Sequence, residues 1–159
     1  LVEGASVDLA DNDGYTALHI ACQDGHAAVV RILLAKGASV DRAKNGNTAL
    51  HMACMKGHEA VVRLLLDKGA SMDRATQGGY TPLHIACQQG HETVVRLLLT
   101  KGASADLPKN NGATPLMIAS GLGHLAVVIL LLERRAAAVQ LLHPTCCCQC
   151  RRRRRLALP

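Results

Sequence analysis

Histidine and cysteine return along this chain at regular intervals, and both residue types bind metals and take part in catalysis. His19, His51 and His84 close the tetrapeptides Thr16-Ala-Leu-His19, Thr48-Ala-Leu-His51 and Thr81-Pro-Leu-His84. Cys22, Cys54 and Cys87 follow them one helical turn later. A fourth copy, Thr114-Pro-Leu-Met117, carries Met in place of the histidine. Either these residues form a periodic chemical site, or they belong to a structural module used repeatedly.

The spacing decides between the two. The threonines are 32, 33 and 33 residues apart, and Gly4, Gly37, Gly69 and Gly102 of the Gly-Ala-Ser triplets are 33, 32 and 33 apart. A fixed period of this size means a stacked array of units. Equivalent residues on neighbouring units then lie about 8–10 Å apart, too far for one metal ion. A disulfide needs Cα atoms within about 7 Å, so the three cysteines read as small buried residues. The second unit is one residue short between Val40 and Gly46, and that stretch is expected to be a loop, where a deletion is tolerated.

One unit explains itself from its residues. Thr16 caps a helix through its hydroxyl. In the third and fourth units Pro82 and Pro115 come next, at the first helical position, where the missing N–H does no harm. Leu18, Ala21 and Cys22 share one apolar face, and Gly25 ends the helix. A second helix is expected from about His26 to Ala35, with Val29, Val30, Leu33 and Leu34 as its buried stripe and Arg31 outward. Gly37 stops it. Residues 11–14, Asp-Asn-Asp-Gly, make a tight turn before the threonine.

These residues closely resemble the ankyrin repeat. The family's pattern is D-x-x-G, T-P-L-H, G-H, V-V-x-L-L-L and G-A. Here it reads as Asp11 and Gly14, Thr81-Pro82-Leu83-His84, Gly90-His91, Val94-Val95 with Leu97-Leu98-Leu99, and Gly102-Ala103. The resemblance covers residues 1–133: a partial repeat at 1–5, then repeats at about 6–38, 39–70, 71–103 and 104–133. It implies an all-α solenoid of stacked antiparallel helix pairs joined by turns or β-hairpin-like loops. It also implies that the side chains of His19, His51 and His84 tie the turn to the threonine hydroxyl. His26, His58, His91 and His124 fall at the turn between helices. Thr76 and Lys109 stand where the family favours Asp, which is expected to loosen those turns.

Composition agrees with a packed array of small units. Apolar residues make up 49% of the chain, yet there is no Phe or Trp and only two Tyr, so the core must be Leu, Val, Ile and Ala. The net charge of +6 owes five charges to arginines 151–155, which leaves the body near neutral and without an electrostatic case for nucleic acid. No signal peptide is visible and the body cysteines form no disulfide framework, so an intracellular setting is expected, cytoplasmic before nuclear.

The two ends depart from the pattern. The opening LVEGAS aligns with LAKGAS at 34–39, so the chain begins inside a repeat and reads as a fragment of a longer array or a truncated gene model. After Arg134 no Gly-Ala arrives, and nothing stops the last helix before Pro144, so it is expected to run from His124 to about Leu142. Ile129 replaces the arginine found at Arg31, Arg63 and Arg96, marking a face that wants a partner or a missing repeat. Residues 116–132 carry no charge, but Gly121, Gly123 and His124 interrupt them, short of the about 20 apolar residues of one membrane-spanning helix. Residues 134–159 continue as a helix extension and a tail rich in Cys and Arg. Cys147 and Cys150, with His143 nearby, make a single zinc-like pair. The cysteines beside the arginines suit S-acylation at an anionic membrane, and the arginines are a short match to a nuclear-targeting or nucleic-acid patch. The plainest reading is a disordered tail, or one read from an altered frame.

No phosphate loop, nucleophile elbow or HExxH is present. The expected function is a non-enzymatic protein–protein interaction module, a scaffold or adaptor, with no cofactor, metal or small-molecule substrate, no nucleic acid on the repeats, and a membrane only if the tail is acylated. The alternatives are a membrane-tethered scaffold or the recognition domain of a larger enzyme or regulator. Positions fixed by the fold cannot choose a ligand, so the partner surface is expected among those that vary. At the turn tips these are Asn12, Asp13 and Tyr15; Lys44, Asn45 and Asn47; Gln77 and Tyr80; Asn110 and Asn111. At the ends of the first helices they are Gln23 and Asp24, Met55 and Lys56, Gln88 and Gln89. Stacking is expected to bring them onto one concave face, with Tyr15, Tyr80 and Met55 as anchors.

Overall fold

Threonine followed by Ala-Leu or Pro-Leu starts a helix four times, and Gly-His starts a second helix each time. In a computed structural model residues 6–142 are described, with side chains to residue 134. The pairs are α1 (Ala17–Gln23) with α2 (Ala27–Ala35), α3 (Ala49–Lys56) with α4 (Glu59–Asp67), α5 (Pro82–Gln89) with α6 (Glu92–Lys101), and α7 (Pro115–Gly121) with α8 (Leu125–Leu142). The first helices α1, α3, α5 and α7 pack in one row, and α2, α4, α6 and α8 in another. The extension of α8 to Leu142 agrees with the absence of a stop signal before Pro144. The readings of residues 1–5, and of His143 and the Cys/Arg tail, fall outside the described residues.

The core lies between the rows and between successive repeats. Leu18, Leu50 and Leu83 from the first row meet Leu65, Leu98 and Leu131 from the second, all fully buried. Cys22, Cys54 and Cys87 are buried among them. Arg63 and Arg96 point outward and pair with Glu59 and Glu92 one turn back, at 2.7 and 2.8 Å. The expected stripe of α2 needs correction: Val30 is fully buried, Leu33 and Leu34 are half-buried, and Val29 is 46% exposed. Its counterparts Val61 and Val94 are fully buried because each faces the second helix of the repeat before it. On that side of α2 no described helix stands.

The turns before the threonines include the hairpin-like loop that the fold class implies. Where the second unit is one residue short, the expected loop is hairpin-like. It forms a two-stranded antiparallel hairpin, β1 (Ala43–Lys44) with β2 (Asn47–Thr48), in which Ala43 faces Thr48. Asn45 and Gly46 make its tip at φ 51° and 82°, the Asn-Gly pair that a two-residue hairpin with left-handed central residues favours. In the first unit the equivalent bridge, Ala10 to Thr16, encloses one residue more. Thr76 and Lys109, expected to loosen their turns, leave the backbone bond across each in place. The Thr76 N–H donates to Tyr80 O and the Lys109 N–H to Ala113 O at 2.9 Å, the same distance as from the Asp11 N–H to Tyr15 O. Backbone bonds close these turns. The Asp11 carboxylate adds bonds from the Asp13 and Tyr15 amides, and the Thr76 hydroxyl keeps one of them, from Tyr80.

Candidate functional site

The described histidines fall into two rows, and all but the exposed His26 are buried or bonded within the fold. In the first row, Nδ1 of His19, His51 and His84 lies 2.9, 2.8 and 2.8 Å from the hydroxyls of Thr16, Thr48 and Thr81. The same nitrogen accepts from the threonine backbone N–H. Nδ1 is therefore unprotonated and Nε2 carries the hydrogen, which His51 donates to Tyr80 O at 3.2 Å and His84 to Ala113 O at 3.3 Å. Each of these rings thus links its own helix start to the next repeat's turn. His19 Nε2 is buried without a partner at bonding geometry, opposite the shortened hairpin and the Asn47 backbone. Burial pushes all three imidazoles below the ordinary histidine value.

In the second row, His26, His58 and His91 stand at the N-caps of α2, α4 and α6, and His124 immediately before α8. Nε2 of His58, His91 and His124 donates to the carbonyls of Gln23, Met55 and Gln88 in the preceding repeats, at 3.0, 3.2 and 3.0 Å. Those carbonyls belong to the last turns of first helices, so the rings satisfy acceptors that a helix end leaves open. Burial pushes the Cys22 and Cys87 thiols up to about 12 and raises that of Cys54 as well, which keeps them protonated and poor nucleophiles at neutral pH. Among the described residues no group of three or more His, Cys, Asp or Glu is placed to hold a metal ion. No described helix is long and apolar enough to cross a membrane.

The variable positions are distributed along the turn tips and the first-helix row. A groove of about 470 Å³ lies between the second and third repeats. Asn45 and Asn47 come to it from the hairpin, Met55 from α3, Gln77 and Tyr80 from the next turn, and Gln88 and Gln89 from α5. Thr76, Gly78 and Ile85 complete the lining, three residues not expected on the partner surface. A second groove of about 350 Å³ lies between the third and fourth repeats. Tyr80, Gln88 and Lys109 form one side, and Met117, Ile118, Gly121 and Leu122 of the α7 region form the other. The signal for it was the Met117 substitution itself, whose side chain is 61% exposed.

Other candidates stand apart from both grooves. Asn12 and Asp13 are exposed on the first turn, and Gln23, Asp24 and Lys56 at the ends of α1 and α3. Asn110 and Asn111 are exposed but engaged in the fold: Asn110 donates to Gln77 O at 2.9 Å, and the Asn111 side-chain oxygen accepts from the Ala113 N–H at 3.1 Å. The tyrosines are half-buried rather than free. Tyr15 meets His19 edge-on and carries the Lys44 ammonium 4.0 Å from its ring centre. Tyr80 meets His84 edge-on, and Lys109 sits 4.3 Å from its ring centre while donating to its hydroxyl at 2.7 Å. Tyr80 forms a wall of both grooves, and Tyr15 of neither.

The family model described as ankyrin repeats (3 copies) matches residues 1–76 and again 70–142. The chain belongs to the ankyrin repeat family. Its threonine–histidine links and Gly-His turns are thus framework of the ankyrin repeat, and its grooves lie on the face made by the first helices and turns of the array. The chain is also similar to mouse (Mus musculus) protein phosphatase 1 regulatory subunit 27, at 43% identity over 42 residues, or 26% of this chain and 27% of that protein. It thus spans about a quarter of the length of that curated relative.

Proposed function

We propose that this ankyrin-repeat chain is a non-enzymatic protein-interaction module, a scaffold or adaptor that holds its partner on the concave face made by α3, α5, α7 and the turn tips. The observation that carries this reading is the groove between the second and third repeats. Its walls are built largely from residues that differ between repeats, and an array whose core is repetitive can vary its ligand only at such positions. Met55, Tyr80 and the amides around them supply the mixture of apolar anchor and adaptable hydrogen bonding typical of recognition surfaces. Apart from the exposed His26, the described histidines and the repeat cysteines, the residues best suited to catalysis, are buried or bonded within the framework. The similarity to a subunit named as regulatory supports the class and not a partner, since it covers little more than one repeat length.

Affinity capture with the full chain from its native organism, followed by two double variants, tests the proposal. Tyr80→Ala with Met55→Ala is expected to weaken capture of the partner, and Arg63→Ala with Arg96→Ala to leave it intact, with folding preserved in both. Capture lost only in the arginine pair places the binding face on the second helices and contradicts the proposal.

A further inference from the structure

We propose that the two grooves flanking Tyr80 together hold one uncharged peptide segment in polyproline II form, with apolar side chains at i and i+3, one in each groove. The inference rests on the concave-face reading and specifies its ligand.

The lining sets the charge of the ligand. Asn45, Asn47, Gln77, Gln88 and Gln89 surround Met55 and Ile85 with side-chain amides, and no residue of this groove is charged. The second groove is walled by Met117, Ile118 and Leu122, and its one charge, Lys109, is already spent on the ring and hydroxyl of Tyr80. A charged ligand side chain entering either groove loses water and gains no opposite charge, which is costly. An uncharged one pays no such penalty, and an apolar one fits against Met55 and Ile85 or against Met117 and Leu122.

Repeat spacing sets the ligand's conformation. Grooves on successive repeats are offset by one helix–helix distance, about 8–10 Å. A polyproline II chain returns to the same face every third residue, and with a rise of 3.1 Å that is about 9 Å. A β-strand presents same-face side chains at about 7 Å or about 13 Å, and neither spacing matches the groove pair. Polyproline II also leaves its backbone without internal hydrogen bonds. The amides of Asn and Gln, each both donor and acceptor, supply partners for such a backbone. The two residues between the anchors cross the ring of Tyr80, the wall common to both grooves.

Panning a random peptide display library against the full chain tests this, followed by fluorescence anisotropy of the enriched synthetic peptides on three variants. Met55→Lys charges the first groove and Met117→Lys the second; both side chains are exposed, and circular dichroism and melting confirm that the variants fold. The control is Arg63→Ala with Arg96→Ala. The expected result is enrichment of uncharged sequences with apolar residues at i and i+3 and proline between them, binding weakened about tenfold or more by each lysine and unaffected in the control. Charged sequences, apolar spacings of two or four, or no enrichment at all overturn the proposal. If such differently patterned peptides still lose binding in Met55→Lys, the concave-face reading survives without this ligand. If enriched peptides ignore both lysines and fail on the arginine control, both fall.

Discussion

Gly57 and His91 meet across a repeat boundary so closely that a Cβ on the glycine would lie 2.7 Å from His91 Nδ1. Gly25 with His58 and Gly90 with His124 repeat the relationship at the same distance. Each glycine also has a positive φ, between 73° and 78°. Two independent demands therefore fall on one residue: a left-handed backbone, and room for the next repeat's ring.

The two demands are separable. Gly69 has φ 83° and open space where its Cβ would go, so Gly69→Ala carries backbone strain alone, about 1–2 kcal/mol. Gly57→Ala carries the same strain and must also displace His91 from its bond to Met55 O. Urea unfolding is expected to show a clearly larger loss for Gly57→Ala. Equal losses would mean that the ring moves aside freely.

Core truncation should follow burial. Leu65→Ala and Leu98→Ala, both at fully buried positions, are expected to cost about 2–5 kcal/mol. Arg63→Ala removes only an exposed pair with Glu59, worth about 0.3–0.5 kcal/mol. Comparable losses at the leucines and the arginine, measured by denaturant unfolding, would show that the helical face is misassigned.

Acid should weaken the fold through the first histidine row. His19, His51 and His84 have folded-state values below the unfolded one of about 6.5, so the unfolded chain binds protons first. Their stabilisation is complete above that value and is lost as pH falls through it towards the folded values. Urea midpoints are expected to drop on going from neutral pH to pH about 5. His51→Gln should make the drop shallower. A midpoint unchanged over that range would contradict the burial assigned to these rings.

The repeat thiols should be silent. In a chain with Cys146, Cys147, Cys148 and Cys150 changed to Ser, a chromogenic thiol reagent at neutral pH is expected to find Cys22, Cys54 and Cys87 unreactive until urea is added. Rapid titration of the native chain would show that the core opens readily.

Within a repeat, the sequence could be read almost directly. Thr48 and His51 are one helical turn apart, a spacing that allows the bond the resemblance to the ankyrin repeat implies. The buried positions of α4 and α6 follow from helical periodicity. Contacts between repeats were hidden, because they join residues roughly one period apart that no local pattern pairs. Asp41 bonds the Ser71 amide at 3.0 Å and Asp73 the Ser104 amide at 3.0 Å, yet each aspartate alone reads as a solvated turn residue. The Nε2 bonds of His58, His91 and His124 were hidden for the same reason. The exposure of Val29 was illegible because its sequence context matches that of Val61; only the neighbouring helix distinguishes them. At the grooves, variability between repeats identified Met55, Tyr80 and the amides. It missed Ile85, which reads as a core position, and Lys109, whose role is to hold Tyr80.

The most direct measurement of the central claim is hydrogen–deuterium exchange of the full chain with and without its captured protein partner. Added protection is expected in α3 and α5 and in the turns at 43–48 and 76–80, with the outward side of α4 and α6 around Arg63 and Arg96 unchanged. Protection confined to α4 and α6, with the grooves beside Tyr80 exchanging as in the free chain, would contradict that claim.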